Sequence, residues 1–164
     1  MKEFLSQTSI KRILQYGLFM LVVLLLQNMV LGSIHPLGER PLILPAVAVA
    51  VGMFCSPEGG VIFSLIMGVF ADMSFTENTV LFTILFPALS FLSGLIANFF
   101  VNRRFFAYMG VSAAGLLITG LFQMLFTGAS DAFSSVMIKT VLLQTLWSIP
   151  FAAAVYYPPA KWIE

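Results

Sequence analysis

The stretch GVIFSLIMGVFADMSFTEN, residues 60–78, decides the fold. Its first dozen residues are apolar without alternation, the mark of a helix rather than a barrel strand. Then a carboxylate, Asp72, appears before the apolar character ends. An acid at that point needs a partner, because a charge in hydrocarbon is costly and faces protein, water or a cation.

The rest of the chain has the same character. It is 60% hydrophobic and 9% charged, with 17 Phe and 9 Met in 164 residues. With a mean hydropathy of +1.00, it has too little polar surface to wet a globule of this size, so lipid is the expected solvent. A net charge of +1, carried by basic residues singly or in pairs, leaves no electrostatic footprint for nucleic acid. The single cysteine, Cys55, lies in an apolar run and reads as a small hydrophobe. The basic N-terminus followed by a long apolar run reads as a retained first span, since VLGSIHP lacks an A-x-A cleavage site.

Charges, prolines and glycine pairs divide the chain into apolar segments at 13–31, 42–55, 60–75, 80–101, 105–126 and 133–157. This predicts one all-α integral membrane domain, residues 1–164, with six transmembrane helices. The second and third segments are short, and the joint SPEGG permits either two spans or a re-entrant hairpin. Two spans are preferred because Glu39 and Arg40 before the pair and Glu77 after it let the segments extend into the interface, and because a hairpin would strand Glu58 inside the membrane. Six crossings place Lys2, Lys11, Arg12, Arg103, Arg104 and Lys161 on one side and only Arg40 on the other, so both termini are expected in the cytoplasm. The mixed basic and apolar residues 1–16 read as the positive flank of the first span, or as a segment lying in the headgroup layer before turning into it.

In that topology Asp72 lies in the outer half of the membrane. Lys139, at similar depth in the last segment, is a candidate ion-pair partner; alternatively Lys139 snorkels to headgroups while Asp72 caps a helix end or contacts its own loop. Small residues at helical spacing, Ala46 with Ala50, Ser90 with Gly94, and Gly110 with Ala114, permit close helix approach, within the bundle or to a partner helix. Pro45, Pro87 and Pro150 are expected to kink their spans. Gln27, Asn28, Asn98, Asn102, Gln123 and Gln144 are expected to hydrogen-bond between helices or mark an interface. His35 has no second ligand at metal-binding spacing, no Gly-rich phosphate cradle exists, and no spacing pairs a nucleophile with a base. No cofactor, metal or catalytic role is therefore expected, and the chain does not read as an enzyme.

The run GERPLILPAVAVAVGMFCSPEGGVIFSLIMGVFADMSF, residues 38–75, resembles the central block of the MreD family of rod shape-determining membrane proteins, in its Gram-positive form. The match lies in Arg40 with Pro41, Pro45 with Ala46, the acidic glycine turn at residues 58–60, and the G-x-x-x-D of Gly68 and Asp72. The basic pair Arg103 and Arg104 and a last helix with Trp147 and Pro150 extend it over nearly the whole chain. After Asp72 the sequence SFTENTVLF departs from the small glycine-containing turn usual in that family.

The resemblance implies a non-enzymatic scaffold of the cell-elongation (Rod) complex in the bacterial plasma membrane. Such a subunit binds MreC and, through it, MreB filaments and the peptidoglycan polymerase and transpeptidase. The family is similar in fold to the substrate-binding S-components of ECF transporters, which supplies the alternative of a small-molecule-binding transport subunit. Against that alternative, ILQYGLFMLVVLLLQNMVLG at residues 13–32 has no A-x-x-x-A docking face. Asp72, Lys139, Gly68, Arg40, Pro41, Gly110 and Ala114 are the candidate structural or partner-contact residues. For Asp72 the preferred role is to hold the outer ends of the protein's own helices together.

Overall fold

The computed structural model describes residues 2–31, 33, 42–55, 57–74, 80–99, 105–127 and 135–161. Arg40 and Pro41, with His35, Arg103 and Arg104, lie outside the described residues. The described chain is all-helical: α1 Lys2–Leu25 continuing into a π turn Leu26–Leu31, α2 Leu44–Phe54, α3 Pro57–Ser74, α4 Leu81–Phe99, α5 Phe105–Thr127 and α6 Ser135–Lys161. Three stretches, Leu81–Asn98, Phe105–Phe126 and Ile138–Pro159, are long and apolar enough to cross a membrane.

The centre of the molecule is α2. Every residue from Leu44 to Phe54 is buried, packed by α3, α4, α5 and α6. Its sequence LPAVAVAVGMF carries no polar side chain, so its whole circumference can be covered without orphaning one. At about 1.5 Å per residue, 11 residues cover about 16 Å, roughly half the hydrocarbon thickness.

Helix limits differ from expectation where proline reads as a breaker. SPEGG reads as a joint, yet Pro57 opens α3 and Glu58 lies in its first turn. Proline suits the first turn, where an N–H lacks an intrahelical partner anyway, and an acid there complements the helix dipole. Pro45 likewise sits in the first turn of α2, so it removes no internal hydrogen bond and the kink expected there has no cause. Pro87 and Pro150 do lie inside their helices, and α6 also runs through Pro158 and Pro159 to Lys161. At the N-terminus α1 is one continuous helix from Lys2, so a turn between residues 1–16 and the first span is not formed.

Close backbone approach sets the seams around α2. A Cβ on Gly52 would collide with the Ser90 carbonyl and the Ser93 hydroxyl, and one on Gly94 would lie 3.0 Å from the Gly52 carbonyl oxygen. On α3, a Cβ on Gly60 would lie 3.0 Å from Ser90 Oγ and 3.2 Å from Gly52 Cα. Thus α2, α3 and α4 meet at a three-way contact that only small residues permit. Ala46 and Ala50, and Ser90 with Gly94, serve this internal packing and are buried.

Candidate functional site

Asp72 and Gly68 work together at the end of the bundle where α3 finishes and α4 begins. Gly68 brings the helices together: a Cβ there would lie 2.5 Å from the carbonyl oxygen of Phe82 and 2.8 Å from Cα of Thr83. One turn further along the same face, Asp72 reaches the start of α4. Its Oδ1 accepts from the Phe82 N–H at 3.1 Å, and its Oδ2 accepts from the Thr83 N–H at 2.8 Å and the Thr83 hydroxyl at 2.6 Å.

Asp72 is therefore a helix N-cap supplied from a neighbouring helix. The first N–H groups of a helix lack intrahelical acceptors, and a carboxylate satisfies them while meeting the positive end of the helix dipole. The G-x-x-x-D spacing has a mechanical meaning: glycine at the contact and aspartate one turn on place the carboxylate against the amides of α4. One turn before Gly68, Ser64 is fully buried beside the same seam.

Hydrogen bonds from the surrounding helices hold α2 through its backbone. Gln27 Oε1, in the π turn, accepts from the Ile43 N–H at 2.9 Å, and Ser148 Oγ on α6 accepts from the Leu42 N–H at 2.9 Å. Both donors are buried just ahead of α2, where they would otherwise go unpaired. Further along α2, the Tyr108 hydroxyl donates to the carbonyls of Ala46 at 3.3 Å and Ala152 at 3.0 Å, joining α5, α2 and α6. Ser93 Oγ donates to the Val49 carbonyl at 3.3 Å. Beside Asp72's end of α3, Asn28 donates to Ser74 Oγ at 3.4 Å, linking the π turn that continues α1 to α3.

The other sequence candidates are spread apart. Lys139 is exposed on α6, and among the described residues no ion pair joins it to Asp72, whose oxygens face α4. Gly110 and Ala114 are both exposed on α5, and a Cβ on Gly110 would have nothing within 4 Å. That pair takes no part in internal packing, unlike the other two small-residue pairs. Among the described residues no group of three or more His, Cys, Asp or Glu could hold a metal ion.

Sequence reasoning singled out Gln27 as an interhelical amide, but not the backbone N–H it serves. Ser148 and Thr83 carry no local signal, because their partners are 106 and 11 residues away. Tyr108 is a fully buried tyrosine between basic residues 103–104 and the apolar body of α5, and a buried phenol that must find an acceptor was the available clue. Comparison with family models, with characterised proteins and with solved structures gives no match to this chain.

Proposed function

We propose that the chain is a multi-pass, non-enzymatic scaffold of the bacterial plasma membrane, an MreD-type subunit of the cell-elongation complex. In this reading its six helices form an S-component-like bundle, with both termini cytoplasmic and the Asp72 end outside. Apolar side chains exposed around the bundle support a lipid setting: Leu18 and Leu21 on α1, Ile62 and Phe70 on α3, Ile84 on α4, Phe122 on α5 and Leu146 on α6.

The observation that carries the scaffold reading is the open Gly110–Ala114 face of α5, next to internal seams that use every other small-residue pair. In lipid, helix association gains little from the hydrophobic effect and relies on close approach. A small-residue face left free on a rigid body fits the single span of a partner such as MreC. MreB and the peptidoglycan polymerase and transpeptidase would join through that partner.

The test is co-purification from native membranes, comparing wild type with Gly110→Ile. MreC and wall synthases are expected with the wild type and lost with the variant, whose thermal stability should be unchanged because the position is open. Recovery of a tightly held vitamin-like molecule without those proteins would replace the scaffold with the transport-subunit reading.

A further inference from the structure

The helix registers leave a step at the Glu58 end of the bundle. Gly68 lies beside Phe82 and Thr83, and Gly60 beside Ser90, so α3 and α4 run antiparallel and Glu58 stands level with Leu92. From Leu92, α4 continues seven residues to Phe99, about 10 Å. Gly115 beside Leu89 puts the start of α5 level with the end of α4, and Tyr156 packs on Phe105 at 5.1 Å before α6 runs on to Lys161. The α2–α3 turn therefore stops well short of its neighbours.

The polar boundary on α1 matches the level of Glu58. Tyr16 meets Phe63 edge-on at 6.1 Å and Asn28 bonds to Ser74, so α1 and α3 run parallel with Lys11 level with the first turn of α3. Lys11 and Glu58 are both exposed, and Arg12 follows Lys11 in sequence. Toward the Asp72 end, past the exposed Gln15, both helices expose large apolar side chains over several turns, including Leu18 and Leu21 on α1 and Ile62, Ile66 and Phe70 on α3. Below Lys11 the continuous helix α1 runs through Ser6, Gln7, Thr8 and Ser9, at heights where α4 carries Leu95, Ile96 and Ala97 before the exposed Asn98. Phe106, 86% exposed on α5, belongs to that lower apolar level.

We propose that the cytoplasmic leaflet is thinned against the α1–α3 face, with phospholipid headgroups rising to meet Lys11 and Glu58. The proposal rests on the membrane reading above and is independent of any protein partner. From Glu58 to Ser74 α3 covers about 24 Å, whereas Lys139 and Lys161, both exposed on α6, stand about 33 Å apart. Only the second length matches a hydrocarbon core of about 30 Å. A short hydrophobic face is met by local thinning of the bilayer, and the exposed Lys11 supplies a cation that attracts lipid phosphates. The step also lets the α2–α3 hairpin reach water at Glu58 without crossing a full thickness of lipid.

The test uses nanodiscs, which leave both faces open to reagent. In a Cys55→Ala background, single cysteines at Glu58, Ile66, Ala154 and Lys161 are reacted with a membrane-impermeant maleimide. Position 58 is expected to react at least about tenfold faster than 66 and 154, and within about threefold of 161, by its placement in headgroups rather than hydrocarbon. The contrast with Ala154 is decisive because that exposed residue lies nearer the Lys161 end than Glu58 does. Slow reaction at both 58 and 154 overturns the proposal by showing the hairpin sealed in lipid. Fast reaction at 154 as well as 58 removes the step, and fast reaction at all four positions removes the membrane reading itself. The wild-type chain gives a check without substitution at position 58: water-soluble carbodiimide and an amine should label Glu58. Absence of label on Glu58 would also overturn the proposal.

Discussion

Asp72 and Thr83 are joined by two hydrogen bonds that end on one carboxylate oxygen, from the Thr83 amide at 2.8 Å and its hydroxyl at 2.6 Å. Because the acceptor sits on α3 and both donors on the first turn of α4, this contact fixes the angle and height at which α4 starts. Asp72→Ala strands two helix-start amides in a part-buried site and is expected to cost about 2 kcal/mol, within the range for lost caps and unpaired groups. Asp72→Asn keeps one acceptor and loses the charge, so it should cost about half as much. Reversible unfolding in mixed micelles measures both. Equal stability of Asp72→Ala and wild type would show that the cap bears no load.

Thr83→Val tests whether the two residues act as a unit. Alone it removes the hydroxyl donor and should cost about 1 kcal/mol. Combined with Asp72→Ala it should add almost nothing, since the shared bond is already lost, giving a coupling energy of about 1 kcal/mol. A double variant whose cost equals the sum of the single ones contradicts the geometry.

Three glycines should respond differently to the same added methyl. Gly52→Ala drives a Cβ into the Ser90 carbonyl, backbone that cannot rotate away, and overpacking of this kind costs about 1–3 kcal/mol. Gly68→Ala pushes α3 off α4 and should also loosen the Asp72 cap, so its cost should shrink in an Asp72→Ala background. Gly110→Ala meets open space on a helix and should be neutral or stabilise by up to about 1 kcal/mol. Thermal unfolding of the three variants in one detergent orders them, and a destabilised Gly110→Ala would show that its face is already covered.

Much of this was legible in the sequence, and the gaps have physical causes. The buried centre follows from LPAVAVAVGMF, a helix with no side to turn toward water. G-x-x-x-D announced a helix approach followed by an acid, and the preferred role for Asp72, tying the ends of its own helices, agrees with its bonds to Phe82 and Thr83. Lys139 was a plausible partner because depth along a helix can be read from sequence; which way a side chain faces cannot, and Lys139 faces away. Pro45 and Pro57 misled for a related reason: a proline in the first turn and one in the interior look alike until the helix start is known. The registers that place Glu58 level with Leu92 depend on contacts between residues far apart in the chain, which no local pattern encodes.

The absence of an Asp72–Lys139 pair has its own consequence for charge reversal. If the two acted together, exchanging them as Asp72→Lys with Lys139→Asp would rescue what either change destroys. With Asp72 bound to amide donors, a lysine at position 72 brings a cation to the positive end of α4 and leaves the Phe82 and Thr83 N–H groups without an acceptor. Asp72→Lys should therefore be more destabilising than Asp72→Ala, and Lys139→Asp should do nothing to relieve it. Lys139→Ala alone should change stability by less than about 0.5 kcal/mol, as for other surface sites without a partner. Unfolding measurements on the two single variants and the exchanged pair decide the matter: additive effects are expected, and recovery in the exchanged pair would mean that α3 and α6 meet in a way the hydrogen bonds of Asp72 exclude.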